Sequence, residues 1–373
     1  MLLFTPGPTP VPEAVRQAMA TPTLHHRTPE FEAIFAQVRA QLFALMKTDE
    51  VVMLASTGTG AMEAAVTNVC HHTLLSINAG KFGERFGKIA RAHGLGSVEV
   101  TLEWDTPATV EEVLAHLRAH PEIDALAIQI SESAGGLRHP VEVIAAAVKH
   151  ERPEVMIIAD GITAVGVEPI DVTHIDVLIA GSQKALMLPP GLAIMGLSQA
   201  AIAKTGEGRG FYFNLASEIR KQRQNTTAYT AATTLVIGVR SIMEQVAQQG
   251  GWESLYAETA RRAAATRGAL EAIGLRSYPR VPATSMTTII DPDAETIRTL
   301  LKQEYGILVA GGQDHLKGKI FRINQMGLIP PWESLWVVNA VERALDRLGR
   351  RTFDETASRA FNDLFHTMDG RGS

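Results

Sequence analysis

Short apolar runs rich in valine, isoleucine, leucine and alanine recur along the first half of the chain. They cover residues 51–54, 74–77, 98–102, 125–130, 155–159, 175–180 and 192–197. Several are separated by segments with helical spacing of apolar positions, among them AMEAAVTNVCHH, FGERFGKIARAHG, ATVEEVLAHLRAH and PVEVIAAAVKH. A parallel connection needs a crossover long enough to hold a helix, so this alternation predicts parallel pairing. We predict an α/β fold with a mostly parallel sheet of about seven strands sandwiched by helices.

The pattern changes after about residue 245, where helical segments dominate and SMTTIID and KIFRIN are strand candidates. This change indicates a smaller α+β domain. The proline-rich segment 5–12 cannot be a regular helix or a central strand, so we predict an extended arm. We expect an N-terminal arm over residues 1–20, a large domain over 21–245 and a small C-terminal domain over 246–373.

Composition excludes several classes of function. Lysine and arginine total 35 against 40 acidic residues, and no basic run is present, which argues against nucleic acid binding. Cys70 is the single cysteine, so the sequence predicts neither a disulfide framework nor a metal site. The opening MLLFTPGPTP does not resemble a signal peptide, and no apolar run is long enough to span a membrane. We expect a soluble, cytoplasmic enzyme without membrane contacts.

Candidate chemistry follows three of the apolar runs, and ligands of open α/β sheets bind beyond the carboxyl ends of strands. The small and hydroxyl residues of segment 55–61, ASTGTGA, lead into a helix whose free N–H groups attract an anion; a capped glycine-rich turn is the alternative. Asp160 is either a turn cap or a carboxylate directed at a buried cation. Lys184 either reaches solvent or is a desolvated nucleophile able to form a Schiff base.

The combination favours one cofactor. Pyridoxal phosphate needs an anion site, a carboxylate for its pyridine nitrogen and a lysine for its aldehyde. A dinucleotide-dependent oxidoreductase would use the turn from Gly58 to Gly60, but the chain lacks the complete glycine fingerprint, and Lys184 would have no role. The sequence therefore predicts a pyridoxal phosphate enzyme.

The segments STGTGAMEA, DGITAVG and GSQKALMLPPG resemble the class V aminotransferases of fold type I. The resemblance is to the group of serine–pyruvate, alanine–glyoxylate and serine–glyoxylate aminotransferases, and extends from TPGPTPVP to KIFRINQMG. It implies a homodimer with shared active sites, using pyridoxal phosphate through a Schiff base to Lys184. The amino group of a small L-amino acid, alanine or serine, would pass to a 2-oxo acid such as glyoxylate or pyruvate.

The same resemblance assigns roles to individual residues. Lys184 and Asp160 match the catalytic lysine and the partner of the pyridine nitrogen. The expected cofactor contacts are Thr57, Gly58, Thr59, Phe82, Asp160, Gln183 and Lys184, with the ring of Phe82 stacking on the cofactor. Tyr229 and Thr230, in NTTAYTAATT, would reach the cofactor phosphate of the partner subunit.

On the substrate side, Arg322 matches the arginine that binds the α-carboxylate, a task suited to a planar fork of donors. Gly7 matches an arm glycine near the substrate. The family often has a hydroxyl residue where this chain has Ala134, and Ser133 is the candidate substitute. His26 and Arg27 belong to a loop that resembles one near the substrate entrance.

The alternative is a pyridoxal phosphate lyase of the same fold, of the cysteine desulfurase type. Such enzymes need a nucleophilic cysteine late in the chain and usually have a histidine before the lysine. This chain has no cysteine after Cys70, and Gln183 precedes Lys184. Both departures disfavour the lyase.

Overall fold

A computed structural model of the chain describes residues 1–367. Its strands are β1 (Leu2–Phe4), β2 (Glu50–Leu54), β3 (Thr73–Asn78), β4 (Gly96–Thr101), β5 (Ile123–Gln129), β6 (Ser131–Glu132), β7 (Leu137–Arg138), β8 (Met156–Asp160), β9 (Val177–Gly181), β10 (Ala193–Leu197), β11 (Arg276–Ser277), β12 (Met286–Ile290), β13 (Ile307–Gly311) and β14 (Ile320–Asn324). Its α-helices are α1 (Glu13–Met19), α2 (Pro29–Met46), α3 (Gly58–Val69), α4 (Lys81–Ala92), α5 (Val110–Ala119), α6 (Val141–Glu151), α7 (Gln199–Thr205), α8 (Leu215–Gln222), α9 (Thr233–Gln248), α10 (Gly251–Ala272), α11 (Ala294–Gln303), α12 (Pro331–Arg347) and α13 (Thr356–Thr367). None of these helices is long and apolar enough to cross a membrane.

The larger sheet has seven strands in the order β2-β10-β9-β8-β5-β3-β4. Each of the seven apolar runs forms one of them, so the predicted sheet is confirmed. Pairing is parallel from β9 through β8, β5 and β3 to β4. Strand β10 is antiparallel to both β9 and β2, so the expectation of parallel pairing is wrong there. The reason is the short segment 182–192 between β9 and β10, which cannot hold a crossover helix.

Both faces of this sheet are covered, as the continuous apolar runs indicate. Successive strand residues point to opposite faces. On β5, Leu126 and Ile128 are buried in the cluster that includes α2, α5, α6 and α9. Ala125 and Ala127 are buried in the cluster with α3, α4, α7 and α8. With both faces closed, the carboxyl ends of the strands are the open positions for a ligand.

The smaller sheet has five strands in the order β1-β13-β14-β12-β11. Its first strand comes from the N-terminus, and β1 runs parallel to β13. Phe4 of β1 is buried in the same cluster as Phe321 of β14 and Phe361 of α13. The arm therefore begins inside the C-terminal sheet. The division at residues 20 and 245 stays a prediction, and residues 368–373, assigned to the small domain, lie outside the described part of the chain.

Candidate active site

A cavity of about 290 Å³ lies at the carboxyl ends of β8 and β9. Its lining residues are Thr57, Gly58, Thr59, Phe82, Arg85, Ser131, Ser133, Asp160, Ile162, Thr163, Gln183 and Lys184. The cavity thus brings together the glycine loop, the aromatic residue, the acid and the lysine that the sequence predicts from four separate segments.

Lys184 follows β9 and is largely buried beneath the N-terminal arm. Its Nζ donates a hydrogen bond to the Pro6 carbonyl oxygen at 2.6 Å. Burial lowers the pKa of Lys184 to about 8, while the nearby charge of Asp160 raises it and that of Arg322 lowers it. The amine therefore has an appreciable neutral fraction close to neutral pH, which a nucleophile or a proton acceptor requires.

Asp160 ends β8 and leaves only 5% of its surface exposed. Its Oδ1 accepts a hydrogen bond from the Ile162 amide at 2.9 Å, the contact expected of a turn cap. Burial raises the pKa of Asp160 to about 6, and the charges of Lys184 and Arg85 oppose that rise. Within residues 1–367 this carboxylate forms no ion pair, so it remains available to a cationic group in the cavity.

Helix α3 begins at Gly58, directly after the small residues of the glycine loop. The Thr57 side chain makes no capping hydrogen bond, and the first N–H groups of a helix have no intrahelical acceptor. A Cβ atom on Gly58 would overlap the Ile162 side chain, so glycine allows the loop to approach the segment after Asp160. The helix N-terminus therefore offers the cavity an anion site.

Helix α4 forms the wall that carries Phe82. The Phe82 and Gly83 amides both donate to Glu132 Oε2 at 3.0 Å, which fixes the first turn of the helix. Three residues after Phe82, the Arg85 guanidinium carbon lies 4.7 Å from the Phe82 ring centroid. Arg85 Nη1 also donates to Thr59 Oγ1 at 2.8 Å, joining α4 to the glycine loop.

Glu132 and Arg85 are residues that the sequence analysis did not assign. Glu132 is fully buried, and its Oε1 accepts a hydrogen bond from the Ala134 amide at 2.9 Å. Burial raises its pKa to about 7, and the neighbouring charge of Asp160 also raises it. In the sequence, Glu132 is an acidic residue between an apolar strand and a glycine turn, and Asp160 has the same pattern. The signal for Arg85 was its spacing of three from Phe82 on one helix face.

Arg322 lies on β14 and is only 7% exposed. Its Nε and Nη2 donate to the Gly311 carbonyl oxygen at 3.1 and 2.6 Å, and its Nη1 donates to the Ser133 carbonyl oxygen. Burial lowers the pKa of Arg322 to about 10, while the charge of Glu132 raises it, so the guanidinium stays cationic at neutral pH. Because Ser133 lines the cavity, Arg322 lies directly behind that wall.

The N-terminal arm packs against the lysine. Gly7 has a φ of +114°, and a Cβ atom there would overlap Lys184 Nζ, so the position favours glycine on both grounds. Two residues on, the Thr9 amide donates to the Gln183 carbonyl oxygen at 3.1 Å. Thr9 Oγ1 donates to the Lys184 carbonyl oxygen at 2.8 Å. The arm is therefore attached to the lysine segment by backbone as well as side-chain contacts.

Tyr229 and Thr230 do not line the cavity of their own chain. They border a separate hollow next to Ala55. Tyr229 Oη donates to the Phe211 carbonyl oxygen at 2.7 Å, and its ring stacks on Tyr212 with centroids 5.2 Å apart. His26 and Arg27 also lie outside the lining of the Lys184 cavity.

The residues present fit pyridoxal phosphate. The cofactor needs an anion site, a buried carboxylate and a poorly solvated amine, and the cavity has all three. In addition, Gln183 has a buried amide oxygen without a hydrogen-bond partner among residues 1–367. A buried polar group is usually hydrogen-bonded, so this unsatisfied amide at the cavity is consistent with a polar ligand there.

Comparison with known proteins agrees with this chemistry. A serine–glyoxylate aminotransferase of Hyphomicrobium methylovorum is 30% identical over 346 residues, or 88% of this chain and 85% of its own. The crystal structure of a subgroup IV aspartate aminotransferase from Thermus thermophilus matches with a TM-score of 0.87 at 32% identity, covering 93% of this chain and 99% of that one.

Two further matches decide the family. An uncharacterised aminotransferase of Helicobacter pylori is 51% identical over 362 residues, which is 97% of this chain and 98% of its own. The sequence model described as aminotransferase class-V matches residues 1–328. The chain therefore belongs to the class V aminotransferases, enzymes of fold type I whose cofactor is pyridoxal phosphate.

Proposed function

We propose that this aminotransferase moves the amino group of a small L-amino acid, alanine or serine, to a 2-oxo acid such as glyoxylate or pyruvate. The observation that carries the proposal is the scarcity of cations at the cavity. Among its lining residues only Lys184 and Arg85 are cationic, and Arg322 stands behind Ser133. Arg322 suits one α-carboxylate, and Arg85 is held at the glycine loop by its hydrogen bond to Thr59, which favours substrates without a second acid group. The serine–glyoxylate aminotransferase among the relatives supports the same substrate class.

When bound, pyridoxal phosphate would supply an aldehyde that is reactive towards amines and an electron-withdrawing ring. In our assignment, Lys184 Nζ moves the proton at the substrate's α carbon, a role supported by its pKa of about 8. Asp160 holds a proton on the pyridine nitrogen. The N–H groups of Thr57, Gly58 and Thr59 would bind the phosphate, Gln183 would contact the cofactor, and Phe82 would stack on the ring.

Substrate binding falls to Arg322 and the arm. Arg322 donates to the Gly311 and Ser133 carbonyl oxygens, so we expect a substrate carboxylate to replace at least one of these acceptors. The Ser133 segment would then move with the substrate. Gly7 lies against Lys184 and keeps this side of the cavity free of a side chain. Ser133 is our candidate for the hydroxyl that Ala134 lacks.

We further propose a homodimer in which Tyr229 and Thr230 complete the partner's phosphate site. They line a hollow beside Ala55 and are not among the lining residues of the Lys184 cavity of their own chain, which supports an intersubunit role. Beside them, Phe211 is 81% exposed, an unusual position for a large aromatic residue unless another surface covers it.

A dicarboxylic donor such as aspartate is the second candidate. It is favoured by Arg85, a second cation at the cavity, and by the aspartate aminotransferase among the similar structures. The desulfurase-type lyase is disfavoured by Cys70, which is fully buried next to Asp124. Burial and that carboxylate raise the pKa of Cys70 to about 12, so its thiol is a poor nucleophile.

A donor–acceptor screen of the purified holoenzyme tests the proposal. With glyoxylate or pyruvate as acceptor, we expect the kcat/KM for alanine or serine to be about tenfold or more above that for aspartate. The reason is that the second carboxylate of aspartate is costly to desolvate without a cation paired to it. The matched control is Arg85→Gln assayed with both donors. A preference for aspartate that Arg85→Gln removes would establish the second candidate instead.

A further inference from the structure

Arg85 differs from the other cationic residues of helix α4. Lys81 pairs with Asp314 at 2.7 Å, Lys88 with Glu84 at 2.7 Å, and Arg91 with Glu99 at 2.6 Å. Arg85 has no carboxylate partner within residues 1–367, and its Nη1 donates a hydrogen bond to the neutral Thr59 hydroxyl. Of the four cations of this helix, Arg85 is therefore the one without an ion pair among the described residues. It lines the cavity, where its charge acts on Asp160.

The direction of that charge is set by the helix. Residues three apart on a helix are neighbours on one face, so Arg85 lies beside Phe82. Its guanidinium covers the Phe82 ring at 4.7 Å, and its Nη1 reaches Thr59 at the start of α3. It therefore lies between the ring expected to stack on the cofactor and the helix N-terminus expected to receive the phosphate.

A phosphate dianion is poorly balanced without Arg85. A helix N-terminus contributes only about half an elementary charge. The glycine loop itself, residues 55–61, contains no lysine or arginine. The other cation that lines the cavity is Lys184, whose amine is committed to the cofactor aldehyde in our assignment. Arginine suits phosphate because its fork donates two parallel hydrogen bonds to oxygen.

We propose that Arg85 is a phosphate ligand of the bound cofactor, donating to the phosphate that sits on the N-terminus of α3. In that role its contact with Thr59 positions the guanidinium before the cofactor arrives. The inference concerns the cofactor, so a preference for aspartate would by itself leave it intact. An aspartate preference that Arg85→Gln removes, with the affinity for pyridoxal phosphate unchanged, would instead assign Arg85 to the substrate and overturn it.

The test compares two ligands of the apoenzyme that differ only in the phosphate. Dissociation constants of pyridoxal phosphate and pyridoxal are measured by equilibrium dialysis for the wild type, Arg85→Gln and Arg85→Lys. In Arg85→Gln we expect pyridoxal phosphate to bind about 10- to 100-fold more weakly, the usual effect of a lost charged hydrogen bond, and pyridoxal to change less than about twofold. Arg85→Lys should recover part of the affinity, because it restores the charge without the fork.

Lys88→Gln is the matched control, since it removes one positive charge from the exposed side of the same helix. It should leave both dissociation constants within about twofold, because exposed ion pairs contribute little. Equal weakening of both ligands in Arg85→Gln would mean that Arg85 only supports Phe82, and would overturn the proposal. Unchanged affinity for pyridoxal phosphate would overturn it as well.

A second measurement does not depend on whether Arg85→Gln folds. Inorganic phosphate should slow the rebinding of pyridoxal phosphate to the wild-type apoenzyme by occupying the same site. Arg85→Lys should need several-fold more phosphate for the same effect. If the two proteins respond to phosphate identically, Arg85 does not contact the anion.

Discussion

The active site draws on two regions that are built differently. Asp160 and Lys184 stand at the ends of β8 and β9, adjacent parallel strands of the larger sheet. Gly7 comes from the arm and lies against Lys184. Arg322 comes from the smaller sheet and lies behind the cavity wall at Ser133, so both are placed by contacts between distant parts of the chain. The arm pairs with β13 through β1 and receives the hydrogen bond of Lys184 Nζ at Pro6.

This difference suggests that the two regions have different roles, one in the chemical step and the other in substrate binding. Groups at the strand ends of the larger sheet are held by strands that helices cover on both faces, so they suit the chemical step. Groups on the arm and the smaller sheet depend on docking, so they suit substrate binding. Substitutions in the first region should therefore lower kcat, and substitutions in the second should mainly raise KM.

The largest effect should come from Lys184→Ala. We expect kcat to fall on the order of 10⁴-fold, because the general acid–base group is lost. Borohydride should attach the cofactor covalently to the wild type at Lys184 and not to the variant, as peptide mass spectrometry would detect. Lys88→Ala, an exposed lysine of α4, is the control and should behave as the wild type. Borohydride attachment at any other lysine would remove Lys184 from its assigned role.

Asp160→Asn should rank second. The neutral amide keeps the shape of the side chain but cannot balance a protonated pyridine nitrogen, so we expect a loss of about 3 kcal/mol in transition-state stabilisation. The measurement is kcat at saturating substrate with the cofactor content checked by absorbance. Near-normal turnover with cofactor bound would mean that Asp160 serves only as a turn cap, through the hydrogen bond that it accepts from the Ile162 amide.

The first of the two regions was the more predictable from sequence. Apolar runs end just before Asp160 and Lys184, and parallel strands bring their carboxyl ends to one edge, so the strand pattern alone locates the cavity. The strand pattern failed at β10, because its pairing direction depends on the length of the preceding segment.

The second region could not be located by pattern. The positions of Gly7 and Arg322 at the site were expected only from resemblance, because their contacts join residues far apart in sequence. Glu132 and Arg85 were not assigned for a related reason. Glu132 is identified by the helix that packs on it, and Arg85 by the lack of a carboxylate partner within residues 1–367. Hydrophobic periodicity records neither feature.

Arg322→Ala tests the second region directly. We expect substrate binding to weaken by roughly 2 kcal/mol, the lower end of the loss seen when one partner of a buried charge pair is removed. The affinity for the cofactor should be unchanged. Spectral titration with alanine or serine measures the substrate, and dialysis measures the cofactor. Arg298→Gln is the control, because Arg298 also donates to a β13 carbonyl oxygen, that of Val309, but is not expected to touch substrate. A fall in kcat at unchanged KM would place Arg322 with the first region.

The pH dependence of the apoenzyme tests the state of Lys184. Its pKa is lowered from 10.5 to about 8, so the neutral, reactive amine appears at lower pH than in a free lysine. The rate of pyridoxal capture should rise about tenfold per pH unit below the pKa and level off above it. In Asp160→Asn the midpoint should move to lower pH, because the negative charge of Asp160 raises the pKa of Lys184. A midpoint of the pH profile near 10 in the wild type would contradict the lowered pKa of Lys184.

The smallest expected effect comes from Thr9→Val, which tests whether the arm belongs with substrate binding. Thr9 is 2% exposed, and its Oγ1 donates to the Lys184 carbonyl oxygen at 2.8 Å. Removing the hydroxyl should cost about 1 kcal/mol of unfolding free energy, measured by urea denaturation, because one buried hydrogen bond is lost. A loosened arm should raise KM a few-fold and leave kcat unchanged. Thr9→Ser, which keeps the hydroxyl, should stay near wild type, and a fall in kcat at constant KM would instead tie the arm to the chemistry of Lys184.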